Sequence, residues 1–217
     1  MPPPLDRKPM NVLVATPARE STPGELLEIS AGIYEELTWP ERERALYLNE
    51  YPAAEAKYAN NARARNELIE GHLRPRHTHI LWLDVDLVEV PADIVELLAE
   101  VSERDIVAPL VLIERNLRFP PDRFYDIGGF VQDGKRFELY PPYCEGGDLV
   151  DVDSVGSCYL IPAEVYRARG RYAPIGDEVE HVSLMGQARG MGLRVYARRD
   201  VVVRHAYLPR FGLSWNG

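Results

Sequence analysis

Cysteine is nearly absent: Cys144 and Cys158 are the only two in 217 residues, and neither has a His or Cys neighbour at a ligand spacing. That excludes a disulfide-stapled scaffold and a cysteine-based zinc site, and leaves both as ordinary small residues. No apolar run approaches the roughly 18 residues that a membrane-spanning helix needs. The opening Met1-Pro2-Pro3-Pro4-Leu5-Asp6-Arg7-Lys8-Pro9 has no apolar signal-peptide centre. These two absences predict a cytoplasmic protein without a membrane span. Basic charge is in deficit as well, with 25 Lys plus Arg against 34 Asp plus Glu and a formal net charge of −9. Bulk electrostatic binding of nucleic acid or anionic lipid is therefore not expected. The chain also lacks internal repeats and low-complexity segments. Its hydrophobic and charged fractions, 46% and 27%, are those of ordinary globular proteins, so collagen-like, coiled-coil and wholly disordered classes are excluded.

What the chain does have is an alternation of short apolar runs with helical periodicity. Val12-Leu13-Val14-Ala15, closed by Thr16-Pro17, reads as a buried strand. From Pro23 to Thr38, the residues Leu26, Ile29, Ile33 and Leu37 recur at the spacing of one helix face, joined by Leu27 and Tyr34, and Trp39-Pro40 ends the helix. Ala45 to Leu48 predicts a second strand, Ala54 to His72 a second helix and Thr78 to Leu83 a third strand. Pro91 to Val101 predicts the next helix and Ile106-Val107-Ala108 the next strand. Strand alternating with helix is the pattern of a parallel sheet covered on both faces, which makes the fold class α/β. Further on, Arg123 to Phe137 is broken by Gly128-Gly129 and Asp133-Gly134 and predicts a hairpin with an Asp-Gly turn. Ser157 to Ile161 predicts a strand, Val179 to Gly190 a helix, and Arg194-Val195-Tyr196 and Val201-Val202-Val203 two closing strands.

The chemistry concentrates at Asp84-Val85-Asp86, which follows the apolar run Ile80 to Leu83 directly. That placement puts both carboxylates at the carboxyl edge of a buried sheet, where open α/β folds bind ligands. Two carboxylates at i and i+2 of a segment leaving the sheet can turn toward one hard cation, and Mn²⁺ or Mg²⁺ bridging a diphosphate fits best. The same spacing equally suits acids that cap the turn before the helix at Pro91.

Three strings, in order, carry a family resemblance: Arg63-Ala64-Arg65-Asn66, then Ile80-Leu81-Trp82-Leu83-Asp84-Val85-Asp86-Leu87-Val88-Glu89-Val90-Pro91, then Asp151-Val152-Asp153-Ser154-Val155-Gly156-Ser157. Together, over roughly residues 60 to 206, they resemble the fungal Golgi α-mannosyltransferase subunits that elongate mannan, a family of GT-A-fold glycosyltransferases. The sequence read alone is shorter than that family's members and is expected to have no signal anchor. The resemblance implies a Rossmann-like nucleotide-binding half with a mostly parallel central sheet and a smaller mixed acceptor-side half. The Pro-rich residues 1–10 are expected to form a flexible tail, followed by a single domain over 11–217. Within that domain, 11–113 forms the nucleotide-sugar half, 114–206 the acceptor half and 207–217 a C-terminal tail.

The implied site follows residue by residue. Asp84 and Asp86 match the Asp-X-Asp metal motif, and His205, after Val201-Val202-Val203-Arg204, sits where a third metal ligand would be. Thr16, Pro17 and Arg19 leave the first strand where the nucleobase and ribose are held, and Arg65 and Asn66 match the motif facing the nucleotide, with Asp84 also on the donor. Glu180 matches the acidic position of the Glu-Asp-Val-Asp-Phe helix start that faces the acceptor, with His181 in place of the usual Asp. Asp153 is the second candidate on the acceptor side. The implied reaction is metal-dependent transfer of a sugar from a nucleotide diphosphate donor, GDP-mannose with retention, to a hydroxyl of an unidentified acceptor.

Each assignment has a structural counterpart. Asp151 and Asp153 form a second Asp-Val-Asp that competes for the metal or simply orders a turn. Glu180, with Asp177 and Glu178, also suits the positive end of a helix dipole. Arg63 and Arg65 also suit a solvated helix face, and His72, His77 and His79 have no spacing that closes on one metal. Two other functions compete with the transferase. A sugar-phosphate nucleotidyltransferase would share the α/β half and the metal, but normally opens with a Gly-rich phosphate loop that Thr16-Pro17-Ala18-Arg19-Glu20 lacks. A transferase-like binding subunit would need none of the acids. The loops at 114–122 and 138–149 carry no motif that names the acceptor.

Overall fold

A computed structural model describes residues 10–49, 57–114, 123–125, 129–136, 148–174 and 179–211. The expected N-terminal tail apart from Met10, the loops at 115–122 and 138–147, Cys144, Asp177, Glu178 and the chain after 211 lie outside the described residues.

Along the described chain the elements are β1 (Val12–Arg19), α1 (Gly24–Glu36), β2 (Arg42–Asn49), α2 (Lys57–His72), β3 (His79–Leu83), β4 (Leu87–Glu89), α3 (Ile94–Ala99) and β5 (Ile106–Ile113). Then come β6 (Val131–Gln132), β7 (Lys135–Arg136), β8 (Leu149–Asp151), β9 (Cys158–Pro162), α4 (Glu164–Arg167), α5 (Glu180–Gly190) and β10 (Val195–His205). The main sheet has eight strands in the order β2-β1-β3-β9-β5-β10-β4, with β8 also against β10. Five strands, β2, β1, β3, β5 and β10, run one way, and β9, β4 and β8 run against them. The sheet is thus α/β and mostly parallel in direction.

Its centre explains the unbroken apolar runs. Every residue of β3, β5 and β9 is buried, as strands covered on both faces must be. Helix α2 presents Ala62, Arg65, Leu68 and Ile69, spaced three and four apart, on its buried face, so an arginine lies on the stripe that enters the core. On α5, Glu180 shares the buried stripe with Leu184 and Ala188. Among the described residues no helix is long and apolar enough to cross a membrane.

Two features depart from the sequence pattern. The closing strands expected at 194–196 and 201–203 are one bent strand. Arg198 stands opposite Pro109 and Val202 opposite Leu110, so β10 advances by four residues while β5 advances by one. The charged Arg198-Arg199-Asp200, which reads as a break in the apolar pattern, leads into a bulge over Arg199, Asp200 and Val201 beside a proline that has no N–H for the ladder. Strand β9, expected only as a further strand, inserts antiparallel between β3 and β5. The Asp-Gly hairpin forms as the sequence suggests: Asp133 at φ 51° and Gly134 at φ 69° link β6 and β7, the left-handed pair of a tight hairpin turn.

Gly170 closes the turn after α4 by donating its N–H to the Val165 carbonyl at 2.9 Å. A methyl group there would sit 2.7 Å from that oxygen and 2.8 Å from Val165 Cγ1. Gly170→Ala is therefore expected to destabilise the fold by about 1–3 kcal/mol. The change should appear as a lower urea midpoint at unchanged slope; an unmoved midpoint would show that the turn yields freely.

Candidate functional site

The Asp84-Val85-Asp86 turn carries the chain from the middle of the sheet toward its edge. Asp84 leaves β3 with its N–H donated to Ser157 O at 3.0 Å, and Leu87 N–H closes the turn on Asp84 O at 3.1 Å. Strand β4 then pairs antiparallel with the end of β10, Leu87 opposite His205. Since β9, β5 and β10 lie between β3 and β4 in the sheet, the turn crosses their ends and Asp86 arrives beside the last residue of β10. Ala206 N–H donates to Asp86 O at 2.7 Å and fixes that arrival.

There Asp86 Oδ2 lies 2.9 Å from His205 Nε2. His205 Nδ1 is 2.9 Å from the carbonyl oxygen of Ala206, to which only a protonated nitrogen can donate, and this leaves Nε2 aimed at the carboxylate. Tyr125 stacks on the imidazole with ring centres 3.6 Å apart and planes 18° from parallel. Burial works against charge on both partners, and their mutual attraction outweighs it, holding Asp86 below and His205 above the ordinary range. Asp84 behaves differently. Burial raises its carboxyl to about 7, opposed by Arg65 and reinforced by the neighbouring Asp86.

Arg65 joins Asp84 to the second half of the chain. Its side chain is 4% exposed. Nη2 donates to Asp84 Oδ1 at 2.6 Å and Nε to Glu180 Oε1 at 3.3 Å, with His181 Nε2 3.4 Å from Nη2. The guanidinium lies 4.9 Å from the Trp82 ring centre and 5.7 Å from that of Tyr172. Behind it runs a buried polar chain: Trp82 Nε1 donates to Tyr166 OH at 2.8 Å, Tyr166 meets Tyr172 at 2.8 Å, Tyr172 pairs with Tyr159, and Tyr159 reaches His181 Nδ1 at 3.4 Å. Burial, then Arg65, press His181 well below the usual histidine range, so it is neutral. Sequence reasoning did not single out these tyrosines or Tyr125; twelve Tyr in the chain are an enrichment without a spacing that marks these members.

The remaining candidates fall into place one by one. Glu180 is 3% exposed and paired with Arg65, so its carboxylate faces the interior and not an open acceptor surface. Asn66 holds the backbone of Tyr172, donating to its carbonyl at 2.9 Å and accepting from its N–H at 3.0 Å. Asp153 accepts from Gly134 N–H at 2.8 Å and pairs with Arg189 on α5, and Asp151 pairs with Arg194 at the edge strand β8. Both acids of the second Asp-Val-Asp are thereby committed to the hairpin and the edge. Thr16 is buried and Pro17 half-buried, both where β1 extends past its pairing with β3, and Arg19 is exposed at the end of that strand. His77 pairs with Glu43 at 3.0 Å and His79 with the Glu103 carbonyl at 2.8 Å, both remote from the turn.

Two carboxylates and an imidazole suit a hard to borderline divalent cation such as Mn²⁺. The Nδ1 contact of His205 with a backbone carbonyl is the usual support of a metal-binding histidine. Asp84 and Asp86 side chains are 22% and 28% exposed, open enough for a ligand. Asp84, however, is drawn toward Arg65, and among the described residues no three His, Cys, Asp or Glu side chains converge as a formed metal cluster. The donor chemistry therefore fits the ion, while the three expected ligands do not form a closed cage.

With this geometry in view, the relatives can be placed. The Anp1 family model matches residues 49–142. The chain is 22% identical over 178 residues to the mannan polymerase II complex anp1 subunit of Schizosaccharomyces pombe, a match that covers 68% of this chain and 41% of the relative. It thus spans less than half the length of that relative. Among solved structures, GalNAc-T7 with UDP, GalNAc and Mn²⁺ superposes with a TM-score of 0.54 at 14% identity, over 93% of this chain and 45% of that one. A Drosophila beta-1,4-galactosyltransferase 7 variant with manganese, UDP-Gal and xylobiose superposes with a TM-score of 0.50 at 13% identity, over 90% and 70%. The chain accordingly has the GT-A glycosyltransferase fold and, over residues 49–142, is similar to the Anp1 family.

Proposed function

We propose that the chain is a metal-dependent glycosyltransferase that moves a sugar from a nucleotide diphosphate donor to an acceptor hydroxyl. The observation that carries this reading is the Asp84–Asp86 turn, which crosses the sheet edge and brings Asp86 within 2.9 Å of a His205 whose other nitrogen is already anchored. Asp86 and His205, with Asp84 in the same turn, would hold Mn²⁺ or Mg²⁺. When bound, the ion neutralises charge on the departing diphosphate. The donor half is then 11–113, where the exposed Arg19 can meet a phosphate or ribose, and the acceptor half is 114–206. Likeness to a mannan polymerase subunit supports GDP-mannose as donor, and the family resemblance supports retention. Glu180 is assigned a role through Arg65 and not as the proton acceptor, because its carboxylate is buried and paired.

A second reading is favoured by one finding: the relative is by name a complex subunit, so the chain would be a transferase-like partner without turnover of its own. Thermal shift with nucleotide sugars and Mn²⁺, followed by donor hydrolysis, separates the two. A transferase is stabilised by donor plus metal and then consumes the donor. Stabilisation by none of the donors refutes the transferase reading.

Two variants test the site itself. Asp86→Ala is expected to weaken Mn²⁺-dependent GDP binding by about a hundredfold, and His205→Ala by about tenfold. Titration calorimetry at fixed Mn²⁺ measures both, and parental affinity in Asp86→Ala would move the ion elsewhere. Asp153→Ala, by contrast, should lower stability by about 1 kcal/mol through its lost hairpin and α5 contacts while GDP affinity stays unchanged. Lost affinity in that variant would return Asp153 to the site.

A further inference from the structure

We infer that Arg65 is a positioning residue of the donor site, one that fixes the Asp84 carboxylate at the sheet edge and does not itself touch the nucleotide; this rests on the function proposed above. Its place on α2 dictates the role. Arg65 falls on the buried stripe with Ala62, Leu68 and Ile69, while Arg63, two residues away, is exposed and pairs with Glu67 at 3.2 Å. A guanidinium in that position is closed off from solvent and can act only through what it touches.

What it touches is one end of the metal turn. Arg65 Nη2 takes Asp84 Oδ1 at 2.6 Å, the Asp84 N–H is held by Ser157 O at 3.0 Å, and among the described residues no hydrogen bond reaches Asp84 Oδ2. One carboxylate oxygen is therefore clamped and the other remains for a ligand. The clamp is held in turn: Nε is tied to Glu180 of α5, and the Trp82 and Tyr172 rings confine the guanidinium. The planar fork of arginine serves two carboxylates at once, which a lysine ammonium cannot do in the same plane. Among the described residues Nη1 is buried and finds no hydrogen-bond partner, so its two N–H donors go unused while Nε and Nη2 are both engaged.

The test uses the whole chain and reads the affinity for GDP with Mn²⁺ by calorimetry, alongside the melting temperature. Arg65→Lys keeps the charge and loses the fork, and is expected to weaken binding by about tenfold or more, the usual scale for a group that orients a metal-site ligand. In an Asp84→Asn background the same substitution should cost less than about twofold, because the carboxylate it positions is no longer there. Glu180→Gln should lower the melting temperature and change affinity by less than about twofold, since the Arg65–Asp84 bond survives. If Arg65→Lys does not fold, Arg65→Gln combined with Glu180→Gln removes one buried charge of each sign, and it should fold and show the same loss relative to Glu180→Gln alone. Equal losses with and without the Asp84 carboxylate, or parental affinity in the Arg65 variants, would overturn the assignment and make Arg65 a packing residue between α2 and α5. Parental affinity in Asp84→Asn alone would instead refute the proposed function at this turn, and the role of Arg65 with it.

Discussion

A buried positive charge must be answered by negative charge within a few ångströms, because taking an ion out of water costs several kcal/mol. In this protein that constraint is met at Arg65, which is confined by two aromatic rings and answered by Asp84 on one side and Glu180 on the other. Burial opposes the guanidinium charge, and the carboxylates of Asp84 foremost and then Glu180 restore it, so Arg65 stays protonated. Asp84 belongs to the turn that ends β3, and Glu180 to the first turn of α5. One side chain on α2 therefore ties the end of β3 to a helix more than a hundred residues later in the chain.

The second constraint is the sheet itself. Strands β3, β5 and β9 are buried throughout, so their backbone groups must be paired within the ladder, and the chain can turn aside only at the strand ends. Asp84 and Asp86 lie in the turn that follows one such end. Because β4 joins the sheet beside β10 and not beside β3, the turn between them spans the carboxyl edge and delivers Asp86 to His205. The bulge in β10 serves the same geometry: it lets one strand pair with β8 over its first part and with β4 over its last. The polar groups of the edge are thus placed by strand order more than by local conformation.

These two arrangements divide the work at the turn. Asp86 is matched by a histidine that holds its carboxyl below the ordinary range, while burial raises the carboxyl of Asp84 to about 7 against the pull of Arg65. Two carboxylates one residue apart cannot both be desolvated and charged without partners, and the pair is stable because each has a different cation. The tyrosine chain from Tyr166 to His181 completes the interior side, so the polar groups behind Arg65 are paired among themselves.

Sequence alone determined what depends on neighbours along the chain. Unbroken apolar runs identify β1, β3, β5 and β9, helical spacing identifies α1 and α2, and Asp133-Gly134 identifies its hairpin turn, because burial periodicity and left-handed φ are local demands. The edge position of Asp84-Val85-Asp86 was legible for the same reason: an apolar strand must end before two acids. Tertiary structure alone decided which distant groups meet. No spacing announces that β9 enters antiparallel between β3 and β5, that 194–203 is one strand with a bulge, or that Asp153 caps a hairpin. The motif singles out Arg65 over Arg63, but nothing local says what Arg65 meets; it faces Asp84 and Glu180, while Arg63 faces water. The difference is the side of α2 that packs on the sheet, a choice made by long-range burial that bears on function because it carries a charge into the core.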